Sequence, residues 1–562
     1  MKDIMLLDVY PDKGYYKIGQ KINIYLEIDC EEEKSITIEI KIFLNNDCIY
    51  AQNDEISLKK GIRTYKIVLK MPADKLGGYG VEASINDHKL ATAFDVVSKW
   101  CDRPRYAFLS DFYKEDEEDI DDVKSLLKHH INVVQFYDWM YKHEDLVPKS
   151  DYYTDLLDRE LSKIAVENKI KLCKEARILP QAYGAIYASS KEYYSSHKDV
   201  ALYTNDDKPQ NLGDWFFIMN ISSESPWREH ILNEFKKSIT DMGFEGIHMD
   251  TYGFPKMAYS KLDGNKKLEK LNEQFPSLIN DTKKMLSQEK DESALTFNAV
   301  GNWAIEDVAK SNQDAVYIEV WDPQDTYYHL YQLVNRAREL SNKQVILAAY
   351  LKCFAQKDIY THDACHSSLL LASATIFACG GFHFAIGEKD GVLPDPYYVN
   401  YAKVNKEYRR DIRNYYDFIV RYGDLIFDLN SKDESMTHAN GINTECVFSN
   451  GNFSSYPKAD RVWTLIRTVK GYKTISLVNY TGVKSDIWNE GKEDYPKNLV
   501  DIDVQVLVDE EINGVYVASP DFNNCMSEKL EFEYCSIDRG KAIKFRVPRL
   551  KIWNLIYIEI SN

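Results

Sequence analysis

The sequence predicts a multidomain chain: a central (β/α)8 TIM barrel flanked by an N-terminal immunoglobulin-like β-sandwich and a C-terminal β-sandwich. Three observations predict it. The middle of the chain alternates short apolar strands with longer amphipathic stretches, eight times over. The regions on either side read as strands separated by turns. The 562 residues exceed what one core holds, so about three domains are expected. The boundaries fall at 1–100, 101–424 and 425–562.

In the first region INIYLEI, ITIEIKIFL, TYKIVLKM and YGVEASI alternate or run β-branched, with turns expected at Asn45-Asn46 and Gly77-Gly78. Their spacing suits an immunoglobulin-like sandwich. The barrel strands are expected in YAFLSDF (106–112), NVVQFYDW (132–139), LPQAYGAIYA (179–188) and GIHMDTYG (246–253). The other four are ALTFNAV (294–300), AVYIEVW (315–321), QVILAAY (344–350) and TIFACGGFHF (375–384). Stretches such as SPWREHILNEFKKSITDMG lie between them and carry helical period and capping chemistry. An open doubly wound sheet would carry a Gly-rich phosphate loop after its first strand, and none is present. In the last region RVWTLIRTV, TISLVNYTG, DIDVQVLVD and WNLIYIEI read as strands again. The acidic run EDEEDIDD (115–122) reads as a solvated helix start, and the pair His129-His130 as helix surface.

Composition excludes several functions. The net charge of -18 disfavours a nucleic-acid partner, which needs clustered Lys and Arg. No run of eighteen apolar residues suggests a membrane span. The start has no basic segment followed by an apolar one, so a cytoplasmic location is expected, or a secreted one if a signal was trimmed. The ten cysteines form no CxxC pair and read as reduced, mostly buried thiols. There is no HExxH, GxSxG, P-loop or GxGxxG motif, so neither a metal nor a cofactor is expected. The 40 Tyr, 23 Phe and 9 Trp suit sugar rings, whose C–H faces pack on aromatic ones.

Working residues of such a barrel sit at the C-terminal ends of its strands. Read there, the sequence offers Asp111, Asp138 with Trp139, Tyr187, Asp250, Asn298, Glu319 with Trp321, and Tyr350. Alternation puts His248 and Asp250 on one face of their strand, with Ile247 and Met249 opposite. It likewise puts Tyr317, Glu319 and Trp321 opposite Val316, Ile318 and Val320. A carboxylate inside an apolar strand is costly unless paired or open to a site. Two carboxylates held at different pKa values are what glycosidic cleavage needs. Glu319, among apolar neighbours and beside Trp321, suits the acid/base. Asp250, near His248, Thr251, Tyr252 and Gly253, suits the nucleophile.

At these residues the chain resembles glycoside hydrolase family 66, the dextranases and cycloisomaltooligosaccharide glucanotransferases. PRYAFLSDF, HINVVQFYDWMYKHEDLVP, AYGAIYAS, GFEGIHMDTYG, TFNAVG, YIEVWD and GGFHFAIGEKDGVL carry the resemblance, from about 104 to 394. The resemblance implies a retaining glycosidase acting on an α-1,6-glucan such as dextran or isomalto-oligosaccharides. The family's nucleophile falls on Asp250 and its acid/base on Glu319. Strand-end position then assigns Asp111, Gln135, Tyr137, Asp138, Trp139, Tyr187, His248, Asn298, Trp321 and Tyr350 to the sugar subsites, with Trp139 and Trp321 as stacking platforms. The cyclising members carry an extra carbohydrate-binding module within the catalytic region. The longest interval here, 189–245, is too short for one, which favours endo-hydrolysis. The rival readings are a cyclising or elongating transferase, a non-catalytic glucan-binding protein, and a hydrolase of another linkage.

Overall fold

The computed structural model describes residues 4–71, 73–86, 88–439, 441–493 and 496–561. At its centre stand eight parallel strands. They are β1 (Tyr106–Leu109), β2 (Val133–Phe136), β3 (Leu179–Ala185), β4 (Gly246–Asp250), β5 (Ala294–Val300), β6 (Val316–Glu319), β7 (Val345–Ala348) and β8 (Phe382–Phe384). Each pairs with its neighbour in chain order. Between β8 and β1 the ladder shrinks to a single bridge, Phe108 with Gly387, so the barrel is nearly closed. Aromatic rings fill its interior: Tyr106 lies 5.1 Å from Phe384, and His248 lies 4.8 Å from Tyr317.

A helix follows every strand: α1 (Asp121–Lys128), α2 (Lys163–Glu175), α3 (Pro226–Thr240), α4 (Leu271–Glu289), α5 (Ile305–Val308), α6 (Tyr327–Ser341), α7 (His362–Ala378) and α8 (Arg409–Arg421). Their starts obey capping chemistry. Ser162, Ser225 and Thr361 accept hydrogen bonds from the first-turn amides of α2, α3 and α7, and Pro226 opens α3.

The chain before the barrel forms two antiparallel sheets around one core, in which Ile24, Leu26 and Ile28 of one sheet meet Ile38, Ile40 and Val81 of the other. The chain after it forms a six-stranded and a four-stranded sheet around a core that includes Ile475, Leu477, Val504 and Phe545.

Four expectations need correction. TIFACGGFHF is not one strand: its first four residues end α7, and only Phe382–Phe384 is extended. Every residue of α7 from Ala364 onward is buried, because the helix lies between the barrel and the C-terminal sheets, where Thr375 Oγ1 meets the Tyr480 hydroxyl at 2.7 Å. A helix apolar all round has no amphipathic period and reads like a buried strand. Gly77-Gly78 is no turn but opens the strand Gly77–Ile85, and a side chain at Gly78 would strike the Val420 carbonyl. The run 115–122 is only partly solvated: Asp116 and Asp122 are buried and paired with Lys389 and Lys169. His130 is buried against Asp417 at 2.7 Å rather than on a helix surface.

Candidate active site

A cavity of about 770 Å³ opens at the C-terminal ends of the strands. Gln135, Tyr137 and Asp138 enter it from the end of β2, Tyr183 from β3, His248 and Asp250 from β4, Asn298 from β5, Glu319 and Trp321 from β6, and Tyr350 from β7. The alternation read in β4 and β6 holds: Ile247, Met249 and Ile318 are buried, while Asp250 and Glu319 face the cavity.

Asn298 joins the two carboxylates. Its Nδ2 donates to Asp250 Oδ1 at 2.7 Å and to Glu319 Oε2 at 2.8 Å. Each carboxylate receives one tyrosine hydroxyl as well: Tyr183 donates to Asp250 Oδ2 at 2.8 Å, and Tyr350 to Glu319 Oε1 at 2.9 Å. No cation is within ion-pair reach of either among the described residues. Burial therefore dominates, and disfavours both charges. It raises Asp250 to about 6, against the pull of Asn298, Tyr183 and the Thr251 amide. It raises Glu319 further, to about 7, because the Asp250 charge adds repulsion. Asp138 is also pushed up to about 7 by burial, with Arg159 opposing. His248 is held neutral, its pKa lowered to about 3 by burial, and Nδ1 meets the Tyr106 hydroxyl at 2.8 Å.

Three residues assigned to the subsites lie elsewhere. Trp139 is fully buried: its Nε1 donates to the Tyr183 carbonyl and its ring packs 4.6 Å from Phe244. Side chains past the end of β2 turn either way, and this one turns into the core. Tyr187 is a brace: its hydroxyl accepts from the Tyr252 amide at 2.7 Å and donates to the Phe254 carbonyl at 2.8 Å. It pins the loop after β4, where Gly253 takes φ +71°. Asp111 is bound by Lys389 Nζ at 2.7 Å and the Tyr401 hydroxyl at 2.9 Å, outside the cavity wall.

Other wall residues escaped the sequence reading. Tyr183 could have been found, since it shares the inward face of β3 with Gln181. Tyr397 and Tyr398 come from the loop after β8, and His143 and Trp215 from loops after β2 and β3. Loops carry no period, so nothing in the sequence marks them. The interval 189–245 holds a short helix (Lys191–Ser196), small antiparallel strands and α3, with no sandwich module.

A parallel barrel with two bridged carboxylates in an aromatic cleft has the parts of a glycosidase. The chain belongs to glycosyl hydrolase family 66, whose model matches residues 11–557. A cycloisomaltooligosaccharide glucanotransferase of Niallia circulans is 24% identical, over 98% of this chain and 71% of that one. A dextranase of Streptococcus salivarius is 25% identical, over 59% of this chain and 46% of its own. The crystal structure of a Paenibacillus sp. cycloisomaltooligosaccharide glucanotransferase complexed with cycloisomaltoheptaose superposes with a TM-score of 0.90 at 20% identity, over 98% of this chain and 99% of that one. That likeness establishes the shared fold.

Proposed function

We propose that the protein hydrolyses internal α-1,6-glucosidic linkages of dextran or isomalto-oligosaccharides with retention, through a covalent glycosyl-enzyme on Asp250, with Glu319 as acid/base. The observation that carries this reading is the shared amide of Asn298. The two oxygens it binds stand no farther apart than its two bonds of 2.7 and 2.8 Å laid end to end. A retaining pair stands about 5–5.5 Å apart, and an inverting pair about 6.5–9.5 Å. That bound on the nearer pair of oxygens supports the first over the second.

The direction of the pKa shifts supports these roles. Glu319, the higher of the two, holds its proton better at neutral pH. It gives that proton to the glycosidic oxygen while an Asp250 oxygen bonds to C1 and the C1–O bond breaks. Glu319, now ionised, then takes a proton from water, whose oxygen displaces Asp250 from C1. The wall suits a neutral polyol. Gln135 and Asn298 place neutral amides on it, a match for hydroxyl groups rather than for a charged ligand. Lys142 is the one Lys or Arg on the described wall. The same reading takes 1–100 as an immunoglobulin-like domain, 101–424 as the catalytic barrel and 425–562 as a C-terminal β-sandwich.

The glucanotransferase matches favour a second reading, in which a sugar hydroxyl rather than water intercepts the glycosyl-enzyme. The absence of a module in 189–245 favours hydrolysis. Incubation with dextran, and separately with isomalto-oligosaccharides, decides between them. Hydrolysis yields a ladder of linear products that first appear as α anomers. Mainly cyclic or elongated products would make the protein a transferase, initial β anomers would exclude retention, and no product from either substrate would sink the α-1,6 assignment.

A further inference from the structure

The two carboxylates receive the same first partners, an amide and a tyrosine hydroxyl, yet what stands behind the tyrosines differs. Tyr183 holds Asp250, and among the described residues no second hydroxyl stands behind it. Behind Tyr350 stands Tyr398, hydroxyl to hydroxyl at 3.1 Å, and behind Tyr398 stands Tyr317 at 3.2 Å. All three rings are buried. They arrive from separate places: Tyr317 from β6 two residues before Glu319, Tyr350 from beyond β7, and Tyr398 from the loop after β8. Ring contacts lock them, with Tyr398 4.3 Å from Tyr137 and Tyr317 4.8 Å from His248.

We propose that Tyr317 and Tyr398 are positioning residues for the reaction: in series with Tyr350, their hydroxyls hold Glu319 able both to give and to take its proton. This rests on the reading of Glu319 as acid/base. An ionised Glu319 has no proton to share, so Tyr350 donates to it. The Tyr350 oxygen then accepts from Tyr398, and the Tyr398 oxygen from Tyr317. Hydrogen bonds in such a series polarise one another, so the bond that reaches the carboxylate is strengthened. Burial and the charge of Asp250 drive the Glu319 pKa upward. Asn298, Tyr350 and Trp321 oppose them, and His248, which packs on Tyr317, stays neutral. Without the series Glu319 would give up its proton less readily in the first step, and its ionised form would be less well held when it acts as a base in the second.

The test is the pH profile of kcat/KM for Tyr317→Phe and Tyr398→Phe, with Glu319→Gln as reference. Tyr317 does not line the cavity, so its variant cannot act through substrate contact, and Phe keeps both rings in place. The alkaline limb, set by loss of the Glu319 proton, should move up by about half a unit in each variant, while thermal unfolding stays near the parent. Activity that falls in both variants with the limb unmoved would overturn the series and leave the reading of Glu319 intact. An alkaline limb that survives in Glu319→Gln, assayed on a substrate with a good leaving group, would overturn that reading and the series with it.

Discussion

The arc from β4 to β7 and the seam between β8 and β1 both gather carboxylates at strand ends, and they use them in opposite ways. At the seam Lys169 Nζ, fully buried, reaches Asp122 at 2.7 Å, the Asp111 carbonyl at 2.6 Å and Glu388 at 3.4 Å. Glu388 Oε1 accepts from the Ser110 amide, the Ser110 hydroxyl and the Asp111 amide at 2.7 to 2.9 Å. These bonds stand where the strand ladder fails, and they close the barrel. On the arc, Asp250 and Glu319 receive only neutral donors. A carboxylate answered by a cation is engaged in holding the fold. One answered only by amides and hydroxyls has no counter-charge and stays available to a substrate.

Exchanging one oxygen for nitrogen in each region tests this contrast most strongly. On the proposed function, Asp250→Asn should lower kcat/KM on dextran by at least about 10³-fold, since a nucleophile has no substitute. Asp111→Asn should lower it by less than about tenfold. Comparable losses in steady-state assays would erase the distinction. Next in size is the seam's own stability. Lys169→Met leaves Asp122 and Glu388 buried without their cation and should cost about 3–5 kcal/mol in denaturant unfolding. The cost should be smaller at pH 6 than at pH 8, because Glu388 already stands near 7 and protonates more readily than it unfolds the chain. A loss under about 1 kcal/mol at pH 8 would mean that the seam is not what closes the barrel.

The arc was the legible part. Period two in GIHMD and VYIE announces which side chains face inward, and an acidic residue in an apolar strand announces a cost that function must justify. The seam was illegible because its meaning lies in pairings across more than 200 residues, such as Lys169 with Glu388. Read alone, Asp111 looks like Asp250. The end of β2 failed for a different reason: past the last strand residue the alternation stops, so Asp138 enters the cavity and Trp139 leaves it. Burial on all sides hid α7, and loops without period hid Tyr398 and Trp215.

A raised pKa in the folded state also has a thermodynamic signature. Asp250 stands at about 6 when folded, against an ordinary 3.8. The folded chain thus binds more protons than the unfolded one between those values, and stability falls as pH rises through that window. Asp250→Asn removes the titration. The variant should therefore be more stable than the parent at pH 8, by up to about 3 kcal/mol, and should match it at pH 4. A gain that does not change with pH would show that the Asp250 carboxylate carries no burial cost, and would remove the physical basis for its placement on the arc.

The smallest expected effect separates two tryptophans. Trp139 has no exposed surface, and its indole is fully used by the core. Trp215, on the hairpin between Asn211–Leu212 and Phe216–Ile218, is 60% exposed yet belongs to the cavity wall. The next residue, Phe216, packs 4.6 Å from His143 and 6.2 Å from Tyr252, and all four side chains line the same cavity. An exposed indole there offers a glucan unit beyond the scissile linkage a flat face to cover, worth roughly 1 kcal/mol. Trp215→Ala should lower kcat/KM on long dextran about fivefold, with little change on the shortest oligosaccharide cleaved and none in thermal stability. Trp139→Ala should do the reverse, lowering stability by about 3–5 kcal/mol. Equal losses on long and short substrates in Trp215→Ala would place the indole beside the reacting sugar, and no loss on either would leave it as hairpin surface alone.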